Sequence, residues 1–212
     1  NVEINGEHLK VEGGDKLPFL ASLAASQGLT GLEFAAGIPG TVGGAIVMNA
    51  GAHGSSMEKV VIKAGVLDYQ GNTTDLNHTQ LEFGYRSSGL KSKQTIVVEA
   101  EFKLKKGNPL EIKEQMDTNL SFRKAKQPWQ YPNAGSVFKN PPGDSAGRLI
   151  DAAGLKGLQI GGAQISQIHA NFLINRDQAK AKDVLDLMEK IQEEVYKKFE
   201  IILEPEVLIL GG

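Results

Sequence analysis

A glycine-rich stretch, residues 35–54 (AAGIPGTVGGAIVMNAGAHG), limits the possible folds more than any other part of the chain. Glycine adopts positive φ angles and lets backbone or ligand approach closely, and successive amides in such a stretch can form a nest for a pyrophosphate. Neither common phosphate-binding signature is present, because no Gly-x-Gly-x-x-Gly follows a strand and no Gly-Lys-Ser/Thr occurs. Two interpretations stay open on composition: a pyrophosphate-binding loop, or a tight helix–loop contact that needs small residues.

The composition is that of an ordinary globular protein and excludes several function classes. The 212 residues are 41% hydrophobic, enough for one large or two small domains. With 23 basic and 25 acidic residues the net charge is −2, so we expect no binding to nucleic acid or to a membrane surface. The absence of cysteine excludes disulfides and thiol nucleophiles, and we expect no metal site. No apolar run approaches the roughly 20 residues that cross a bilayer and no signal-peptide pattern opens the chain, so a cytoplasmic protein is expected.

The first part of the chain predicts a hairpin and a short helix. Apolar and polar residues alternate on both sides of Asn5-Gly6, a pair suited to a tight hairpin turn. Residues 15–28 then have apolar residues at helical spacing, with Asp15 as the predicted N-cap and Gly28 as the stop.

Two strands and a second helix are predicted next. Residues 60–74 and 95–107 are rich in β-branched residues, and the segment FGYRSSGLK, residues 83–91, connects them. A helix from about Leu110 to Lys126 follows Pro109.

Residues 127–136, QPWQYPNAGS, contain two prolines and form the predicted domain boundary. Beyond them, residues 145–154 and 177–199 have amphipathic helical patterns, while residues 171–176 and 200–210 predict strands. The pattern indicates a compact α+β unit.

Six segments, taken together and in order, closely resemble the UDP-N-acetylenolpyruvoylglucosamine reductase family. They are GIPGTVGGAIVMNAGAHG, YRSSGLK, RKAKQPWQYPNAGSVFKNP, AGRLIDAAGLKG, HANFLIN and LEPEV, and they span nearly the whole chain. The resemblance implies an α+β fold in which residues 1–126 are the second half of a two-part FAD-binding domain. Residues 127–212 would be a small α+β substrate-binding domain with a C-terminal strand.

The same resemblance implies the reaction. Family members use NADPH and FAD to reduce the enolpyruvyl ether of UDP-N-acetylglucosamine enolpyruvate to UDP-N-acetylmuramate, in peptidoglycan precursor synthesis. In the family a first half-domain with another pyrophosphate loop precedes the region where this sequence starts, so we expect the chain as given to bind FAD weakly or not at all. Leu208 stands where many relatives have arginine, and no polar role is expected for it. The short connection after Tyr85 resembles the shorter of two family types.

Three residues match the catalytic positions of the family. Arg86 is expected to clamp the substrate carboxylate, because its planar guanidinium binds a carboxylate through two hydrogen bonds. Ser136 is expected to donate a proton to the carbon beside that carboxylate, and Glu206 to orient the reacting groups. Without the resemblance, the expectation is that the Ser136 hydroxyl caps a turn and that Glu206 faces solvent from a strand.

The resemblance also assigns binding roles. His53 is expected to be a loop histidine that is not covalently attached to flavin. The expected cofactor-binding residues are Ile38, Pro39, Gly40, Thr41, Gly43, Gly44, Asn49, Ala50 and Gly51. The expected substrate-binding residues are Tyr85, Arg123, Lys126, Lys139 and Asn140. For Arg123 and Lys126, three apart near a helix end, the alternative is a solvated helix terminus.

Two other functions are alternatives to the reductase. A non-catalytic nucleotide-sugar binding module would not need a proton donor beside a carboxylate clamp. A flavin oxidase of the same broad fold would not need the NAGSVFKNP and YRSSG segments together.

Overall fold

The structure is a computed structural model that describes residues 2–210, and these residues form two compact units, one ending at Arg123 and the other starting at Lys124. The helices are α1 (Leu17–Ser26), α2 (Val42–Val47), α3 (Pro109–Lys126), α4 (Ala146–Ala152) and α5 (Ala181–Phe199). The strands up to residue 106 are β1 (Val2–Asn5), β2 (His8–Glu12), β3 (Leu29–Thr30), β4 (Gly51–Ala52), β5 (Ser55–Ser56), β6 (Val61–Asp68), β7 (Thr73–Asn77), β8 (Thr95–Lys103) and β9 (Lys105–Lys106). The later strands are β10 (Asn133–Ser136), β11 (Gln159–Ile160), β12 (Ala163–Ile165) and β13 (Phe172–Asn175).

The first unit is built on a five-stranded antiparallel sheet with the strand order β1-β2-β8-β6-β7. The central strand β8 has a bulge at Val98, because Val97 pairs with Val66 and Glu99 pairs with Gly65. The bulge shifts the alternation of side chains, so that Val97, Ala100 and Phe102 are all buried. Helices α1 and α2 contribute Leu17, Leu20, Val42, Ile46 and neighbouring residues to the same core.

The opening hairpin is confirmed, but its turn lies one residue further along than predicted. Asn5 pairs with His8, so the two loop residues are Gly6 and Glu7. Gly6 has φ +61°, a conformation that costs glycine little.

The predicted N-cap of α1 is wrong. The N-cap residue is Lys16, without a side-chain cap, and Pro18 in the first turn fixes the backbone instead. The predicted stop is confirmed, since α1 ends at Ser26 and Gly28 follows with φ +65°.

The predicted strand over residues 60–74 is in fact a hairpin. Strands β6 and β7 pair antiparallel through the turn YQGN, residues 69–72. The Asp68 carboxylate accepts the side-chain N–H of Asn72 and the backbone N–H groups of Asn72 and Gln70 in this turn, which lowers the pKa of Asp68. The strand predicted over residues 95–107 begins as expected but ends at Lys103, and Lys105–Lys106 form β9, which pairs with β3. The loop before β8 is confirmed, and α3 begins at Pro109, one residue earlier than predicted.

The second unit has a four-stranded antiparallel sheet in the order β10-β13-β12-β11, with α4 and α5 contributing to its core. The apolar stripe of α5, which includes Leu187, Ile191 and Val195, is fully buried, as its helical spacing predicts. The helix begins at Ala181, later than expected, because Asp183 accepts the N–H of Lys180 and caps the helix there.

The predicted strand over residues 200–210 is wrong. This segment forms no ladder in the described residues and has one isolated bridge, Phe138 with Pro205. The two backbone bonds of this bridge flank Pro205, from Lys139 N–H to the Glu204 carbonyl and from Glu206 N–H to the Val137 carbonyl. Strand β10 and the β11–β12 hairpin were not predicted, because they are short and contain few β-branched residues.

Within residues 2–210, no helix is long and apolar enough to cross a bilayer.

Candidate active site

Arg86 lies on a two-residue turn of the first unit. Gly84 and Ser87 exchange both backbone hydrogen bonds, at 3.0 and 3.1 Å, so Tyr85 and Arg86 are the central turn residues. Arg86 has φ +54°, in the left-handed region that costs a non-glycine residue about 1–2 kcal/mol. Strain of this kind is retained where the surroundings enforce it, often at functional sites.

The Arg86 guanidinium contacts two neighbours. Its Nη1 donates to the Gly51 carbonyl at 3.1 Å, and its carbon lies 5.3 Å from the centre of the exposed Tyr85 ring. The predicted residues Tyr85, Arg86 and Gly51 are therefore close together in one unit.

The start of α2 presents an open surface with few side chains. Pro39, Gly40, Thr41 and Gly44 are exposed, and a Cβ atom on Gly40 would meet no other atom within 4 Å. Gly40 has φ +126°, which side-chain-bearing residues rarely adopt. A group that approaches the backbone closely fits this surface.

Part of the glycine stretch serves the fold itself. The N–H groups of Val42 and Gly43 donate to the carbonyls of Asp15 and Gly13, at 2.9 and 2.8 Å. A Cβ on Gly43 would lie 3.1 Å from the carbonyl oxygens of Gly13 and Val97. Gly43 therefore has the packing role that was one of the two interpretations of the glycine-rich stretch.

The other predicted cofactor residues are partly or fully buried. Ile38 and Ala50 pack against the core, and Gly51 pairs with Ser56 so tightly that a Cβ would lie 2.5 Å from the Ser55 carbonyl oxygen. Asn49 is 5% exposed, and its side chain bonds to the backbone of Glu58 and Gly84.

Arg123 lies against the glycine stretch. A Cβ on Gly37 would come within 2.8 Å of the Arg123 Cδ atom, so any larger residue there would displace the Arg123 side chain. Burial lowers the pKa of the Arg123 guanidinium below its usual value. Lys126 is exposed at the end of α3.

Ser136 is aimed by a β-bulge in the second unit. Asn133 pairs with Ile174 and Ser136 pairs with Phe172, so three steps along β10 match two along β13. Gly135, with φ +82°, supplies the left-handed residue of this irregularity. The glycine before the serine in NAGS thereby sets the direction of the Ser136 side chain.

The segment after Ser136 lies between Asn171 and the C-terminal segment. The buried Asn171 accepts the Phe138 N–H at 3.0 Å through Oδ1 and donates to the Phe138 carbonyl at 2.8 Å through Nδ2. On the other side, the Glu206 N–H donates to the Val137 carbonyl at 2.8 Å. Glu206 is thereby bonded to the residue next to Ser136.

A cavity of about 400 Å³ opens beside Ser136 and Asn140 in the second unit. Its other lining residues are Ser145, Gly147, Arg148, Asp151, Lys156, Ile168, His169, Ala170 and Asn171. The volume is in the range of ligand pockets, and the lining is largely polar.

The charged side chains near this cavity already have protein partners. Arg148 forms a two-point ion pair with Asp144, which lowers the pKa of Asp144 to about 2. Lys156 forms an ion pair with Asp151 at 2.7 Å.

His169 sits in the loop between β12 and β13. Its Nδ1 accepts the Asn171 N–H at 3.2 Å, which places the proton of the neutral ring on Nε2. Burial, followed by the charge of Lys156, lowers the pKa of His169. The ring is therefore neutral at physiological pH.

The predicted substrate residues near Ser136 are also anchored. The Lys139 ammonium pairs with Glu204, and the Asn140 side-chain oxygen accepts the Ala146 N–H at 3.0 Å at the start of α4. Ser136, Lys139, Asn140 and Glu206 belong to the second unit, whereas Arg86, Tyr85 and the glycine stretch belong to the first.

His169, Arg148, Lys156 and Asn171 were not predicted as site residues. They lie in two of the family segments, Arg148 and Lys156 in AGRLIDAAGLKG and His169 and Asn171 in HANFLIN. Their clustering depends on long-range folding, which single-sequence patterns do not encode.

Comparison with known proteins first defines a class. Residues 1–77 match the sequence model of an FAD binding domain. Together with the α+β units above, this match makes the chain part of an FAD-binding flavoprotein.

The particular family follows from further matches. Residues 127–210 match the C-terminal domain of UDP-N-acetylenolpyruvoylglucosamine reductase. The proteins of that name from Halalkalibacterium halodurans and Caldanaerobacter subterraneus are 47% and 50% identical over 211 residues, which is 100% of this chain and 70% of each relative. A crystal structure of UDP-N-acetylenolpyruvylglucosamine reductase from Thermus caldophilus superposes with a TM-score of 0.84 at 43% identity, over 94% of this chain and 71% of that one.

The chain belongs to the UDP-N-acetylenolpyruvoylglucosamine reductase family. The family and the α+β fold class expected from the six segments are both confirmed.

Proposed function

We infer that this chain serves the reduction of UDP-N-acetylglucosamine enolpyruvate to UDP-N-acetylmuramate, with NADPH as reductant and FAD as cofactor. The reaction is a step in peptidoglycan precursor synthesis. The observation that carries this conclusion is the identity of 44–50% to reductases of that name across nearly the whole chain. The roles of individual residues are proposed below from their geometry.

The first unit fits FAD. The open backbone surface from Pro39 to Thr41, with Gly44 beside it, suits a pyrophosphate or another flat, polar part of a cofactor. When bound, FAD is the redox group that accepts electrons from NADPH and supplies a hydride to the terminal vinyl carbon of the substrate.

Arg86 is proposed to bind the carboxylate of the enolpyruvyl group. Hydride addition at the vinyl carbon moves negative charge toward this carboxylate, and a fixed guanidinium stabilises that charge. The strained turn keeps the side chain at one place, so little reorganisation is needed when the charge develops.

Ser136 is proposed to donate the proton that the neighbouring carbon requires. A serine hydroxyl is a weak acid in water, but a strongly basic enolate in a closed site accepts its proton. The bulge at Gly135 fixes the direction of the hydroxyl, and the cavity beside it has room for part of the substrate.

Glu206 is proposed to orient the proton donor, because its backbone is bonded to the residue next to Ser136. Lys139 and Asn140 are proposed to contact the nucleotide sugar or its phosphates, as are Arg123, Lys126 and Tyr85. The Lys139 ammonium would then interact with both the Glu204 carboxylate and the substrate.

The proposal includes a cytoplasmic location, since NADPH and UDP-linked precursors are cytoplasmic metabolites. It includes no nucleic-acid partner, because the net charge of −2 offers no excess cationic surface.

Isotope labelling in the FAD-bound protein tests the proposed function. With NADPH deuterated at the transferred position, or in deuterated water, mass spectrometry and NMR of the product locate each new hydrogen. We expect one new hydrogen at the carbon that carries the ether oxygen, derived from solvent, and one at the methyl group, which passes through an exchangeable N–H of the reduced flavin and therefore derives from NADPH or from solvent. A protein that binds the nucleotide sugar without oxidising NADPH would instead support the binding-module interpretation.

A further inference from the structure

Three side chains tie the Arg86 turn to the glycine stretch. Asn49 Nδ2 donates to the Gly84 carbonyl at 2.9 Å, and Ser88 Oγ donates to the Val47 carbonyl at 2.8 Å. The Arg86 guanidinium itself makes the third bond, to the Gly51 carbonyl at 3.1 Å. The two bonds from Asn49 and Ser88 attach on either side of the turn.

Asn49 is fixed at both ends of its amide. Its Oδ1 accepts the Glu58 N–H at 3.0 Å while Nδ2 reaches Gly84, and the residue is 5% exposed. Its φ of +42° is a left-handed conformation that asparagine tolerates better than most residues. Both the conformation and the amide are therefore required at this position.

Ser88 is equally enclosed. It is 5% exposed, and its hydroxyl accepts the Leu90 N–H at 3.3 Å while it donates to Val47. Both donor side chains are buried, so water has little access to replace them. Removing the Ser88 hydroxyl takes its donor from the Val47 carbonyl, and removing the Asn49 amide takes the second donor from the Gly84 carbonyl and the acceptor from the Glu58 N–H.

The turn carries strain that the anchors help to retain. It has two mutual backbone bonds, between Gly84 and Ser87, and carries Arg86 in the left-handed region. Relaxation of Arg86 toward negative φ would reorient its side chain, and the anchors on both flanks oppose that movement.

We propose that Asn49 and Ser88 are positioning residues that hold the Gly84–Ser87 turn and thereby fix the guanidinium of Arg86 for carboxylate binding. This inference rests on the proposed function of Arg86. It gives the Asn49 side chain a role in the carboxylate clamp, in addition to the cofactor contact expected from the sequence.

The first test needs neither cofactor nor substrate. Trypsin cleaves after Arg86 only when the turn opens, and the exposed Lys93 provides an internal reference. Ser88→Ala and Asn49→Gly are each expected to raise the rate of cleavage at Arg86 by roughly tenfold, which corresponds to the loss of one buried hydrogen bond. The rate of cleavage at Lys93 should not change. Asn49→Gly keeps the left-handed backbone and removes only the amide.

Asn119→Ala is the matched control, because Asn119 is also a buried asparagine of the first unit that donates to a backbone carbonyl, that of Glu33 at 3.1 Å. It is expected to cause no selective cleavage at Arg86. Unchanged cleavage at Arg86 in both turn variants, or an equal rise at Arg86 and Lys93, would overturn the proposal.

The second test measures coupling to Arg86 in the FAD-bound enzyme. Ser88→Ala and Asn49→Gly are expected to slow flavin reoxidation by the enolpyruvyl substrate about tenfold when Arg86 is present, and to have no further effect after Arg86→Lys. Equal slowing in both backgrounds would contradict action through Arg86. If Arg86→Lys alone leaves this step unchanged, the proposed function of Arg86 is contradicted. The trypsin test would still show separately whether Asn49 and Ser88 hold the turn.

Discussion

Arg86 and Ser136 both depend on a residue with left-handed backbone conformation. Arg86 has φ +54° itself, and Ser136 follows Gly135 at φ +82°. The sequence predicted both residues as catalytic through the family resemblance, but nothing in its local pattern indicated the strain at Arg86. Only the paired hydrogen bonds of the folded turn and bulge reveal why these positions suit a fixed side chain.

Gly135→Ala tests the bulge that aims Ser136. A side chain at this φ is expected to cost about 1–2 kcal/mol of folding free energy and to slow the substrate half-reaction, because the serine is redirected. Gly71→Ala is the matched control, since Gly71 has φ +88° in the β6–β7 turn and equally open surroundings. Urea unfolding and rapid kinetics should show similar stability losses but slowed chemistry only for Gly135→Ala; slowing in both would contradict the specific role.

His169 provides a pH prediction. Its folded-state pKa lies below the ordinary 6.5, so the unfolded chain binds more protons in the window between the two values. Its contribution to stability is therefore complete above pH 6.5 and is lost as pH falls through the folded-state pKa. NMR titration should give a pKa below 6.5, and His169→Gln should flatten the pH dependence of unfolding in that window; a measured pKa above 6.5 would contradict the burial argument.

At the scale of elements, periodicity and turn residues predicted most of the fold. Hairpin β1–β2, helix α3 and the buried stripe of α5 lie close to expectation, because each has a strong local pattern. The incorrect predictions concern segments whose structure depends on tertiary contacts rather than on local sequence. The expected C-terminal strand is reduced to a single bridge between Phe138 and Pro205, and β10 exists because it pairs with β13 rather than because of its own propensity.

Two neighbouring glycines of α2 differ in their surroundings, because Gly43 packs against backbone carbonyls and Gly44 is exposed. Gly43→Ala is expected to destabilise the first unit by about 1–3 kcal/mol, because its Cβ would press on the carbonyl oxygens of Gly13 and Val97 at 3.1 Å. Gly44→Ala is expected to leave stability unchanged or raise it by up to about 1 kcal/mol, since this helix position is exposed and its Cβ has ordinary contacts. Chemical denaturation of both variants checks this, and equal losses would show that neither glycine is distinguished by packing.

At the scale of the whole molecule, the chain divides into two units with separate hydrophobic cores. The first carries the glycine stretch and Arg86, and the second carries Ser136, Glu206 and the polar cavity. The order of motifs along the sequence was enough to identify the family and the predicted catalytic residues. The cavity, with His169 and Asn171 in its wall, required the fold, because its residues come from distant segments.

Ser136 is proposed to deliver a proton to the substrate after the flavin has been reduced. Stopped-flow absorbance of the flavin in the FAD-bound Ser136→Ala enzyme tests it most directly, because each half-reaction is followed separately. Reduction by NADPH should keep nearly its original rate, whereas reoxidation by the enolpyruvyl sugar should slow by roughly 10²- to 10⁴-fold, the range for a lost general acid. Equal slowing of both steps, or of neither, would contradict the account and leave Ser136 as a turn residue.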